Sequence, residues 1–267
     1  MLKKLIREAL LQARKTLLRS LSQGLIQVEG RGSFGDFSRR FDLLTEKAII
    51  DVIRRNLEEV YIVSEEIGHI PCEDPKYYAL IDPVDGSTNA SHGLPFYASS
   101  IIISKSPYIR DVIAAGVIDH STGTIFLGDR ENGALIDGKP ASVRKTRSLS
   151  EALIFVDLGT LNLRKDRPRQ AREWCVRLIG TARHARFFAA ANLEICYILQ
   201  GKADGFACVS EELKLMDFCA PMCLVKWSGG AFRIIGEENP LLTENKRYGV
   251  IVASTRELLE EMSALKS

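Results

Sequence analysis

Ile81-Asp82-Pro83-Val84-Asp85-Gly86-Ser87-Thr88-Asn89 is the stretch on which the reading of this chain turns. Two carboxylates stand three residues apart, directly after the apolar run Tyr77, Tyr78, Ala79, Leu80, Ile81, which reads as a buried strand. A glycine and two hydroxyl residues follow at once. Carboxylate oxygens at a strand end suit a hard cation such as Mg2+. A Gly-Ser-Thr turn with free backbone N–H groups suits a phosphate. Together they point to metal-assisted chemistry on a phosphate ester.

The bulk numbers set few other bounds. The 267 residues suffice for one large or two modest domains, with 46% hydrophobic and 26% charged residues, an ordinary globular balance. A formal net charge of +2 is too small to imply a nucleic-acid or membrane partner by itself. No apolar run approaches the roughly 18–20 residues that span a bilayer. The opening MLKKLIREALLQARKTLLRSL carries charges throughout, so it reads as an amphipathic helix and not as a signal peptide. A cytoplasmic protein is expected. Cys72, Cys175, Cys196, Cys208, Cys219 and Cys223 form no CxxC pair and mostly sit in apolar stretches, as reduced packing residues do.

Periodicity divides the chain near residues 140–150. Residues 1–145 read as an α+β subdomain carrying most of the metal ligands. It has helices over 1–22 and Phe41–Leu57, a glycine-rich mobile loop Gly24–Gly35, and a short strand Val60–Val63. Beyond the motif, Phe96–Ser104, Val112–Ile118 and Thr124–Leu127 suggest an antiparallel meander, with a further strand Gly133–Ile136. Residues 146–267 alternate as an α/β layer: strands Ala152–Val156, Ala185–Phe188 and Gly205–Val209, helices Arg167–Ile179, Asn192–Gln200 and Asp217–Lys226. Strand Tyr248–Ala253 and helix Thr255–Leu265 close this half.

Two carboxylates alone hold Mg2+ weakly. Further acids lie at element ends: Glu65 and Glu66 after a strand, Asp42 and Glu46 one helical turn apart, and Asp217 at a helix start. Gathered in space, such groups serve a two-metal phosphatase, in which one ion activates water and another stabilises the leaving oxygen. Each also has an ordinary alternative: an N-cap for Asp217, a solvated turn for Glu65-Glu66, a polar helix face for Asp42 and Glu46. The D-x-x-D spacing differs from the D-x-D of haloacid-dehalogenase-type phosphatases.

SEEIG (64–68), IDPVDGSTNASHGLPFYASSI (81–101) and LMDFCAPMCLVKWSGG (215–230) resemble, in order, the three signatures of the inositol monophosphatase family. GRGSFGDFSRRFDLLTEKAI (30–49) is similar to the family's mobile loop and metal-binding helix. AANLEICYILQGKADGF (190–206) is similar to its substrate-side helix and following strand. The resemblance covers nearly the whole chain and is strongest to archaeal members that hydrolyse both inositol monophosphate and fructose 1,6-bisphosphate. It implies a layered α-β-α-β-α sandwich of the α+β class. It makes Glu65 a metal ligand, Asp82 a bridge between two ions with the Val84 carbonyl on the first, and Asp85 and Asp217 holders of the second. Gly86 and Ser87 amides would bind phosphate, and Ser87, paired with Asp42, would deprotonate the attacking water. Glu65 would contact a third ion, so two to three Mg2+ (or Mn2+) are expected. Direct in-line attack by water, a homodimer and lithium inhibition are implied too.

Departures fall away from the metal ligands. Met216 replaces the family's usual Trp, Trp227-Ser228 replace Glu-Ala, and Ala189-Ala190-Ala191 stands where a Gly usually precedes the alanine pair. Substrate contacts are therefore the less specific part; Ala191, Glu194, Arg186 and Lys214 are the candidates. Between Arg164 and Arg186 lie Lys165, Arg167, Arg169, Arg172, Arg177 and Arg183, either a solvated face or a source of one Arg for a second phosphate. A nucleic-acid role needs aromatic platforms beside this charge; the spacing of Trp174, Phe187 and Phe188 turns them to the core. The leading expectation is a Mg2+-dependent phosphatase of inositol 1-phosphate and/or fructose 1,6-bisphosphate. The alternatives are a nucleotide 3'-phosphatase acting on 3'-phosphoadenosine 5'-phosphate and a non-enzymatic RNA- or polymerase-binding protein.

Overall fold

Apolar residues at helical spacing and at strict alternation build five layers. The computed structural model describes residues 1–162 and 168–266. It opens with α1 (Leu2–Ser22), whose buried stripe Leu5, Ile6, Ala9, Leu10, Ala13, Leu17 recurs every three or four residues. The glycine-rich segment expected as a mobile loop is instead a hairpin, β1 (Val28–Arg31) paired antiparallel with β2 (Phe37–Arg39). Gly35, at φ +91°, takes a left-handed conformation between the strands that a side chain would resist. α2 (Arg40–Asn56) follows directly.

β3 (Val60–Ser64), β4 (Gly68–Ile70), β5 (Tyr77–Asp85), the short α3 (Ser87–Ser91), β6 (Ala98–Ser104), β7 (Val112–Asp119), β8 (Ile125–Asp129), β9 (Gly133–Ile136) and β10 (Lys139–Pro140) come next. The eight strands order as β10-β9-β8-β7-β6-β5-β3-β4, with β3 and β5 parallel and the other neighbours antiparallel. The expected meander is thus β6 to β9. Alternation sends Ile62, Ile81, Ile101, Ile103, Ala114 and Ile118 against α1 and α2. It sends Val63, Leu80, Ile102, Ala115 and Val117 to the opposite face.

The second sheet comes from β11 (Leu153–Val156), β12 (His184–Arg186), β13 (Gly205–Lys214), β14 (Ala231–Ile235) and β15 (Arg247–Ala253), ordered β12-β11-β13-β15-β14. The helices are α4 (Arg169–Thr181), α5 (Ala191–Leu199), α6 (Cys219–Trp227) and α7 (Arg256–Ala264). Phe206, Cys208, Val250 and Val252 join α5 and α6 and the first sheet in one core. Ala207, Val209, Ile251 and Ala253 pack on α4 and α7. The layers read α1/α2, sheet, α5/α6, sheet, α4/α7: the α+β, α-β-α-β-α sandwich.

Some local expectations need correction. β12 ends at Arg186, and Phe187 and Phe188 lie beyond it, 39% and 44% exposed, so neither is a core residue. Trp174 is buried, its indole N–H donating to the Met262 carbonyl at 2.9 Å. β13 runs on to Lys214 through a bulge between Cys208 and Leu213. Asp217 closes a 3-10 turn, Leu215–Asp217, before α6 and does not cap that helix. Arg164, Lys165, Asp166 and Arg167 lie outside the described residues. All six cysteines are free thiols, and all but Cys72 are buried. Among the described residues no helix is long and apolar enough to cross a membrane.

One buried polar chain holds the centre of the first sheet. The Ser99 hydroxyl donates to the Pro83 carbonyl at 2.5 Å, so its oxygen accepts from His120 Nε2–H at 2.7 Å. His120 Nδ1 therefore carries no proton, and it is buried without a partner. Burial, then the nearby Arg14, pushes the His120 pKa down from 6.5 to about 3. The unfolded chain binds a proton there near pH 6.5 and the native one does not. His120 thus costs stability progressively as pH falls from 6.5 toward 3, on the order of 5 kcal/mol in all. In His120→Gln, whose amide can still reach Ser99, this acid-labile part is expected to vanish. Urea unfolding at pH 7.5 and pH 4.5 measures it: the wild type should lose ground relative to the variant at the lower pH. A pH-independent difference would rule out the assignment.

Candidate active site

In a regular strand, residues three apart face opposite sides. Asp82 pairs with Ser100 and Asp85 with Ala98, so β5 carries one extra residue between them. This bulge, which contains Pro83 where no ladder N–H is needed, turns both carboxylates into one cavity. Gly86 then sits at φ +79°, and a Cβ there would lie 2.9 Å from the Phe96 carbonyl oxygen. The turn is open to glycine alone and delivers Ser87 to the first position of α3.

The cavity is about 370 Å3. Of the residues expected in the site, Glu65, Asp82, Val84, Asp85, Gly86, Ser87 and Asp217 line it. Asp42, buried on the first turn of α2, reaches it through Ser87. The Ser87 hydroxyl is 2.7 Å from Asp42 Oδ1 and 2.8 Å from the Val84 carbonyl oxygen, and its one proton can serve either. Asp42 Oδ2 accepts the Arg39 N–H at 2.9 Å. Burial, with repulsion from Glu65, raises the Asp42 pKa to about 7 against these hydrogen bonds.

The substrate candidates lie otherwise. Lys214 is buried, its ammonium 2.6 Å from Glu65 Oε1 and 2.5 Å from Asp36 Oδ2, so it faces acids and not a sugar. Arg186 is exposed and donates to the adjacent Ala185 carbonyl at 2.8 Å; it does not line the cavity. Neither do Ala191 and Glu194. Glu194 accepts the Phe188 N–H at 2.5 Å, and burial lifts its pKa to about 8. It shapes the segment that presents Ala189 to the cavity. Ala189 stands at φ +57°, where a side chain costs on the order of 1 kcal/mol.

Several contributors escaped sequence reasoning. Asn192 donates its side-chain N–H to Asp82 Oδ2 at 2.9 Å and to the Met216 carbonyl at 3.0 Å, and its backbone N–H to Asp85 Oδ2 at 2.7 Å. A lone Asn in the apolar run ANLEICYIL was the available signal. Glu46 is buried, not on a polar face, and accepts the Glu66 and Ile67 N–H groups at 2.9 and 3.1 Å. The β1–β2 hairpin contributes Asp36, Phe37 and Arg39 to the rim; no local pattern announced that it folds over the acids.

Burial first, then mutual repulsion with Glu65 and Asp217, raises Asp82 and Asp85 well above the usual carboxylate range. Asp217 is lifted to about 7 by burial, against the pull of Lys214. Asp82 Oδ1 is buried with no hydrogen-bond partner. Among the described residues no three His, Cys, Asp or Glu side chains stand as a ready metal shell. The donor chemistry nevertheless fits one: hard oxygens, crowded, buried and short of positive charge.

The sequence profile of the inositol monophosphatase family matches residues 2–266. The chain belongs to the inositol monophosphatase family. It is similar to the fructose-1,6-bisphosphatase/inositol-1-monophosphatase of Methanothermobacter thermautotrophicus (strain Delta H), 28% identical over 244 residues covering 86% of this chain and 84% of the relative. It is also similar to the Nus factor SuhB of Escherichia coli (strain K12), 29% identical over 253 residues, 90% of this chain and 89% of that one. The extragenic suppressor protein suhB from Bartonella henselae shares the fold at a TM-score of 0.85 and 21% identity, over 99% of this chain and 97% of that chain. Membership makes this inositol monophosphatase relative a phosphatase of small phosphate esters.

Proposed function

We propose that this protein hydrolyses a sugar or cyclitol phosphate monoester, inositol 1-phosphate and/or fructose 1,6-bisphosphate, in a Mg2+-dependent reaction. The carrying observation is the Ser87–Asp42 pair, 2.7 Å apart at the wall of a cavity lined by Glu65, Asp82, Asp85 and Asp217, with Asp36 and Glu66 beside them. Glu65, Asp82, Asp85, Asp217 and the Val84 carbonyl would hold two to three Mg2+, with Mn2+ as a substitute. Bound there, the ions supply charge neutralisation and a more acidic water. The Gly86 and Ser87 amides, at the N-terminal end of α3, would hold phosphate oxygens. Ser87 then orients the attacking water, and Asp42, ionised, takes up its proton through the hydroxyl. Asn192 keeps Asp82 and Asp85 aimed into the cavity, and the nucleophile is water, not a side chain. A cytoplasmic homodimer agrees with this reading.

One observation favours a second substrate class. Phe37, at the rim, is 60% exposed, with the Arg31 guanidinium 4.8 Å from its ring centre. An exposed ring beside a cation can stack a nucleobase, as a 3'-phosphonucleotide would require. A non-enzymatic role leaves the buried carboxylates, which weaken the fold, without a use.

Phosphate release from inositol 1-phosphate, fructose 1,6-bisphosphate and 3'-phosphoadenosine 5'-phosphate, each with Mg2+ and again with chelator, tests these readings. Turnover of the first or second that chelator abolishes is expected. Turnover of the third alone moves the assignment to nucleotides, and none with either Mg2+ or Mn2+ removes the enzymatic reading.

A further inference from the structure

Lys214 sits at the site in a position that the proposed chemistry does not use. β13 runs on past its bulge and ends with this side chain pointing among acids. Its side chain is 3% exposed, and its ammonium lies over the Phe34 ring at 5.7 Å. It contacts Glu65 Oε1 at 2.6 Å and Asp36 Oδ2 at 2.5 Å, while its backbone N–H donates to Asp217 Oδ2 at 2.7 Å. Asp36 is held from the other side by Arg247 at 3.3 Å. One ammonium therefore joins a carboxylate of the site wall to a carboxylate of the hairpin.

An ammonium and a divalent cation repel strongly at contact range when both are out of bulk water. They cannot share Glu65 without cost. We infer that Lys214 is a tethered counter-cation: it holds Glu65 when no ion is bound, competes with a divalent cation for that carboxylate, and keeps its grip on the hairpin through Asp36 when it gives Glu65 up. This rests on the metal-site reading above. The competition sets how tightly the site takes its ions, and the Asp36 contact keeps the hairpin docked while the exchange occurs.

Calorimetric titration of the full chain with Mn2+ tests it, with no substrate and no turnover. Lys214→Met and Lys214→Gln, both uncharged, should bind Mn2+ about tenfold or more tighter than wild type, and Lys214→Arg should stay near wild type. In a Glu65→Gln background the same Lys214→Met change should shift Mn2+ affinity less than about threefold, because the contested group is gone. Two uncharged variants guard against one that fails to fold; far-UV circular dichroism selects the folded one. Wild-type or weaker Mn2+ affinity in that folded variant overturns the competition, while wild-type binding shows the metal site itself is sound. No Mn2+ uptake by wild type overturns both.

Discussion

Asp82→Asn should abolish turnover, by about a thousandfold or more, and at the same time stabilise the ion-free protein. The two effects share a cause. Asp82 is buried, one of its oxygens has no partner, and Glu65, Asp85 and Asp217 crowd it with negative charge. Removing that charge relieves repulsion in the ion-free chain, while the new amide keeps an oxygen for the Asn192 N–H now 2.9 Å away. The same removal takes out one of the carboxylates that would hold the ions, on which charge neutralisation would depend. The sign with pH follows from the raised pKa. The native carboxyl binds its proton more tightly than the unfolded one, so this group favours folding at low pH and the benefit disappears as pH rises through the native value. The stability gain of the variant should therefore grow from pH 5 to pH 8. A gain of about 1–2 kcal/mol, a rise of roughly 2–8 °C in melting temperature for a chain of this size, is the expected scale in chelator. In Mg2+ the order should reverse, because only wild type gains from the ion. Turnover retained in Asp82→Asn, or a variant less stable than wild type in chelator at pH 8, would refute the assignment.

The residues that could be read from sequence are those whose chemistry is local. The DPVDGST run carries its own bulge, glycine turn and hydroxyl, so a strand leading into a phosphate-friendly turn was legible without neighbours. The meander and the alternation of the second half were legible because each face of each strand meets an apolar layer. What was not legible depends on long-range placement. Lys214 read as a candidate substrate contact, but β13 is long enough to carry it to Glu65, 149 residues away in sequence. Glu46 looked like a solvated helix residue, yet it satisfies two N–H groups after β3. The glycines of the 24–35 segment suggested mobility, but backbone pairing with residues 37–39 and the Asp36 ion pairs order it. Phe187 and Phe188 read as core by spacing because the end of β12 at Arg186 leaves no local trace. Sequence spacing reports periodicity within an element. It does not report which distant side chain will be waiting where the element stops.

Ser87→Ala should lower kcat by about a hundredfold to a thousandfold, with little change in KM or in Mn2+ affinity, and Ser87→Thr should restore most of it. The hydroxyl sits between the Asp42 carboxylate and the Val84 carbonyl with a single proton to give. When Asp42 is protonated it can donate to Ser87, and the hydroxyl turns to Val84; the pair then has no basic site for water. When Asp42 is ionised, Ser87 donates to it and presents its oxygen to the attacking water. Activity should therefore fall as pH drops through the Asp42 pKa, which burial holds at about 7 in the ion-free chain and which nearby bound cations would lower. Asp42→Asn removes the proton acceptor while keeping the hydrogen bond to the Arg39 N–H, so its residual activity should be low and flat across this acid limb. Because serine and aspartate act as one unit, the double variant should be no slower than the worse single one. An additive double variant would mean the two residues act independently, and an acid limb that persists in Asp42→Asn would assign the titrating group elsewhere in the carboxylate cluster.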